Sequence, residues 1–142
     1  MTSPAPKDTA APADAPFDPL DFPKDLLDAQ LSEATLYAEL HALQAKLPWS
    51  REPHEGWPED KERKRAGRPA TEGWSEEEAA AYDKLWVDLR KATAVVQGHA
   101  WWERCEQEGV TGAALVAARM ALKHAEGAVP TPLHQADVEA AA

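Results

Sequence analysis

The sequence predicts an all-α protein, a long antiparallel helical hairpin with a Trp-rich connecting loop and a shorter third helix. Three observations carry this. Residues 24–47 and 75–107 place apolar side chains three and four apart, the spacing of one helix face. Between them, residues 48–74 are interrupted by Pro48, Pro53, Pro58 and Pro69 and by Gly56, Gly67 and Gly73. Alternating β-branched residues are scarce throughout, so no sheet is expected.

The first helix runs from Lys24 to Leu47 without Pro or Gly. Asp28, Ser32, Thr35, Glu39, Ala42 and Lys46 recur by four and three and mark its solvent stripe. Leu27, Leu31, Ala34, Ala38 and His41 form one flank, and Leu36, Leu40, Leu43 and Leu47 form another, with Leu26 and Tyr37 between. Apolar residues therefore cover more of this helix than a single neighbour can bury, which predicts two partners for it. Pro23 suits its start and Pro48 its stop.

Residues 48–74 keep no helical or strand period and are expected to form a long loop. Trp49, Trp57 and Trp74 lie in it, and Glu55-Gly56-Trp57 recurs as Glu72-Gly73-Trp74. The rings are expected to fold back and close the open end of the core. Ser75 and Glu78 make a capping box for the second helix, whose face reads Tyr82, Leu85, Leu89, Ala92, Val96 and His99, widened by Trp86 and Val95. Gly98 is a place where it could end or bend, although the helical pattern extends to 107. A third helix is expected over residues 111–126, from Thr111 through Leu115, Ala118 and Leu122 towards Gly127.

Half of the prolines fall in the first 23 residues among Ala, Asp, Ser and Thr, so residues 1–22 are expected to be a disordered leader. Residues 128–142 are expected to be a disordered tail, and residues 23–127 the helical domain. The leader has no basic start and apolar run, which excludes a secretory signal. A single cysteine, Cys105, excludes an internal disulfide and fits a cytoplasmic setting. The formal charge of −10 disfavours general attraction to nucleic acid or anionic membranes, and no stretch is apolar enough to span a bilayer.

The chemistry-bearing residues are dispersed. His41, His54, His99, His124 and His134 are scattered, and only His99 with Glu103 has one-turn spacing, so no metal site and no cofactor is expected. No phosphate-binding glycine loop, nucleophile elbow or His-Glu-x-x-His helix occurs, and no catalytic residue is assigned. One charged patch stands out: Lys61, Arg63, Lys64, Arg65 and Arg68 give five cations within eight residues, beside Trp57 and Trp74.

Leu47-Pro48-Trp49-Ser50, the two Glu-Gly-Trp tripeptides, Arg68-Pro69-Ala70-Thr71 and Ala118-Arg119-Met120-Ala121-Leu122-Lys123-His124 together resemble small uncharacterised all-helical proteins of high-GC bacteria. The resemblance covers residues 23–126. It implies a bacterial cytoplasmic setting and names no activity.

The function expected from these residues is protein interaction, with a protein partner or a second copy of the chain contacting Leu36, Leu40, Leu43, Leu47, Trp49, Trp57 and Trp74. One alternative is nucleic-acid association through Lys61, Arg63, Lys64, Arg65 and Arg68, with tryptophans stacking on bases. Another is a small enzyme with dispersed groups around His99, Trp101, Trp102, Glu103 and Cys105.

Overall fold

The computed structural model describes residues 15–130. Four helices follow in order: α1 Lys24–Lys46, α2 Glu76–Gln97, α3 Ala100–Gln107 and α4 Gly112–Leu122. The chain is all-α, and among the described residues the β structure consists of isolated bridges alone. α1 and α2 form the antiparallel hairpin, their contact being the main one between helices.

α1 begins after Pro23, whose carbonyl accepts from the amides of Leu26 and Leu27. All six residues of its expected solvent stripe are exposed. α2 opens on the capping box: the Glu78 amide donates to Ser75 Oγ at 3.0 Å, and the Ser75 amide donates to Glu78 Oε1 at 2.9 Å. The helical pattern that extends to 107 is divided at Gly98-His99. There His99 leaves the helical region and caps α3, with Nδ1 accepting from the Trp101 amide at 2.9 Å. Its Nε2 lies 3.1 Å from Asp25 Oδ1, tying the start of α3 to the start of α1.

The main core sits at that end of the hairpin. Leu26, Val96, Trp102, Cys105, Ala118, Leu122 and Ala128 form one buried cluster. Two boundaries move accordingly. Residues 15–22 are not part of a free leader, because Phe17 and Phe22 pack on the cluster and Trp101 Nε1 donates to the Pro19 carbonyl. Ala128, placed in the tail by composition, is fully buried. The remainder of both expected terminal segments, residues 1–14 and 131–142, lies outside the described residues.

Cys105 has no exposed surface, and burial pushes its thiol up, against the opposing pull of Arg119 and Arg104. The thiolate that reacts with electrophiles is therefore disfavoured. In native buffer Cys105 should resist a disulfide reagent such as DTNB and should titrate fully in denaturant. Rapid native labelling would show that the core opens.

The connection between α1 and α2 is a two-stranded ribbon. His54 pairs with Thr71, Trp57 with Arg68 and Asp60 with Arg65, all antiparallel, and the Trp74 amide donates to the Arg51 carbonyl at 2.9 Å. The register advances three residues per bridge on both strands. In each interval a glycine on one strand meets a proline-containing dipeptide on the other: Gly56 faces Pro69-Ala70, Gly67 faces Pro58-Glu59, and Gly73 faces Glu52-Pro53. Proline has no amide to donate, and glycine lets the backbones approach closely, so pairing resumes only at every third position.

Candidate functional site

Two surfaces stand out, the ribbon and a groove beside the hairpin. The ribbon holds Trp49, Trp57 and Trp74 by both ring and indole nitrogen. Trp49 Nε1 donates to the Pro69 carbonyl at 2.6 Å, Trp57 Nε1 to Ala66 at 3.0 Å, and Trp74 Nε1 to Pro48 at 2.9 Å. The rings of Trp49, Trp57 and His54 meet edge to face at 4.9–5.7 Å. Arg68 lies over Trp49 and Arg65 over Trp57, both at 5.7 Å, and Arg51 lies over Trp74 at 5.3 Å. The three tryptophans thus staple the ribbon, and each carries an arginine against its ring.

The arginines divide between two tasks. Arg51 also grips Asp83 of α2 with two hydrogen bonds of 2.9 and 2.8 Å, fixing the ribbon's base to the hairpin. Those bonds hold the Asp83 carboxyl below the usual carboxylate range. Stability from a carboxyl held low is present above its ordinary pKa and is lost as the pH falls through the lowered one. Following the Asp83 side-chain carbon by NMR from neutral to strongly acidic pH should show protonation later in the folded protein than for the same residue in denaturant. Coincident titration would mean that the link is absent in solution.

At the far end Lys61, Arg63, Lys64 and Arg65 are exposed, as is Arg68. Asp60 answers part of this charge. Its Oδ1 accepts from the Arg63 amide, and its Oδ2 lies 3.7 Å from Arg63 Nε. Lys64 turns the chain with φ +56°.

The expected leucine flank of α1 is covered in part: Leu40 is buried, and Leu36, Leu43 and Leu47 are half-buried. On the other side Tyr37, Ala38 and His41 stay exposed. An open groove of about 500 Å³ runs there between α1 and α2, lined by Tyr37, Trp86, Leu89, Ala94, Thr93 and Glu33, with Arg90, Gln97 and Lys123 also contributing. Gln97 and Lys123 also line a smaller hollow of about 220 Å³ beside Val96, Trp102, Val116, Met120 and Gln30. Val116 and Met120 are more than half exposed.

Two buried polar residues belong to these hollows, Gln30 in the second and Glu33 in the first. With Leu26 and Leu40 they are the buried residues of α1. Neither is among the site residues that the sequence suggests, although neither belongs to the solvent stripe. A polar residue off that stripe was the available signal. Thr93 Oγ1 of α2 donates to Glu33 Oε2 at 2.8 Å, joining the two helices across the groove floor.

Removing half of this pair leaves a buried polar group without its partner, whereas replacing both halves by apolar groups is often tolerated. Thr93→Val alone should cost about 1–3 kcal/mol. Glu33→Met with Thr93→Val should recover most of that loss in urea unfolding. A double variant as weak as the sum of both single ones would show that the pair is needed for packing.

The histidine, tryptophan and cysteine cluster around α3 serves the fold. Trp102 Nε1 donates to the Val96 carbonyl at 2.7 Å, Trp101 Nε1 donates to Pro19, His99 caps α3, and Cys105 is enclosed. Among the described residues no three His, Cys, Asp or Glu side chains gather as a metal site, and no helix is long and apolar enough to cross a membrane.

No curated protein and no solved structure matches this chain. A family model does match, over residues 25–125, from the first turn of α1 to just beyond α4. Covering all four helices and the ribbon, that match makes the chain a member of the DUF8825 family, a domain of unknown function.

Proposed function

We propose that this chain is a helical protein-interaction module of the bacterial cytoplasm, which binds a partner along the open side of the α1–α2 pair. The observation that supports this most is the groove between the two helices, where Tyr37 is exposed and Trp86 half-buried beside Leu89 and Ala94. α3 and α4 gather around the core cluster at one end, and among the described residues no other helix covers this side of α1. Open apolar surface of this kind is characteristic of docking sites. The ribbon, stapled to itself and clamped to Asp83, serves in this reading as a rigid arm.

The test is affinity capture of the tagged full chain from cells that naturally make it, after nuclease treatment. A protein recovered in stoichiometric amount by the wild type and by Arg65→Ser/Arg68→Ser, but lost with Ala94→Glu, is the expected result. Recovery that vanishes with nuclease, or with the two arginines, would transfer the function to the basic tip and nucleic acid.

A further inference from the structure

We infer that the groove receives an amphipathic helix of another protein whose polar edges are acidic, an inference that rests on the interaction reading above. The two hollows meet at Gln97 and Lys123, so together they offer successive apolar seats, one between Tyr37 and Trp86 and one over Trp102 and Met120. Successive seats suit side chains one or two turns apart on a single helix.

Charge selects the kind of helix. The chain carries 25 acidic and 15 basic residues, yet the ionisable side chains with formal charge around the hollows are Arg90, Arg119, Lys123 and the single acid Glu33. Glu33 is buried and engaged by Thr93, while Arg90 and Lys123 are exposed. The charge open to an arriving partner is therefore positive on a protein that is negative overall. Carboxylates flanking the partner's apolar face would pair with Arg90 and Lys123 at the rim and fix its register. Gln30 adds a second indication. The residue is 5 % exposed and lines the second hollow, and none of the side-chain hydrogen bonds among the described residues involves its amide. Buried amides are normally hydrogen-bonded, and a polar side chain of the docked helix would supply the partner.

The experiment places the photo-crosslinker p-benzoylphenylalanine at position 94 in the groove, or at position 63 on the ribbon tip, in the full chain in its own cells. Crosslinked peptides are then sequenced. The expected result is one protein captured from position 94 and not from position 63, through a segment with apolar residues at helical spacing and flanking Asp or Glu. Arg90→Glu/Lys123→Glu should lower the yield about tenfold, and Arg90→Gln/Lys123→Gln by less, with unchanged circular dichroism. A captured segment that is basic or uncharged, or a yield indifferent to both pairs of substitutions, overturns the acidic-helix inference and leaves the interaction module standing. Capture of a second copy of this chain alone also overturns it, in favour of self-association. No adduct from position 94 overturns both.

Discussion

Trp102→Ala is expected to lower the unfolding free energy by about 4 kcal/mol, the middle of the range for truncating a buried aromatic. Trp102 is 3 % exposed and lies where the segment before α1, the end of α2 and α4 converge. Its ring meets Phe22 edge-on at 6.4 Å and carries the Arg119 guanidinium at 4.6 Å. Truncation would open a cavity and leave the Val96 carbonyl without its indole donor. It would also leave Arg119 without its aromatic platform. For a domain of this size such a loss is a large part of the whole stability. Urea unfolding followed by far-ultraviolet circular dichroism measures it, and a loss below about 1.5 kcal/mol would show that the core does not centre on this residue.

Gly56→Ala should dismantle the ribbon while leaving the helices folded. The added methyl would collide with the Arg68 carbonyl oxygen and would lie 2.7 Å from Pro69 C and 2.9 Å from Ala70 N, all backbone atoms with little room to yield. The φ of +77° adds strain of about 1–2 kcal/mol for a residue with a side chain. Gly67→Ala separates the two effects. Gly67 lies in the same ribbon without a positive φ, but the added carbon would lie 2.7 Å from Glu59 N and 2.9 Å from the Trp57 carbonyl oxygen, so close approach alone applies. Hydrogen exchange at the His54, Trp57, Arg68 and Thr71 amides should lose protection in both variants. Protection kept in Gly67→Ala would mean that close backbone approach does not hold the strands together.

The helices were legible in the sequence because their signals are local. The stripe Asp28, Ser32, Thr35, Glu39, Ala42 and Lys46 needs only a 3.6-residue period, and Ser75 with Glu78 needs only a spacing of three. The ribbon was hidden because its period is neither that of a strand nor that of a helix. Gly56 and Pro69 acquire meaning only when the two strands are set opposite one another. Phe17 and Phe22 were submerged in a window whose average composition is that of a disordered leader, although two aromatics suffice to dock it. Glu33 and Gln30 were readable as polar residues off the solvent stripe of α1, but the hollows they enter depend on Lys123 and Met120, roughly ninety residues further along the chain.

The three-residue step of the ribbon also sets how its length can change. Adding one residue to one strand would set a glycine against a pairing position and bring a side chain into the narrow gap between the backbones. An insertion that respects both the pairing and the Gly–Pro opposition must add three residues to each strand. The arm can therefore be lengthened or shortened only in increments of six residues, and its reach from the hairpin is quantised.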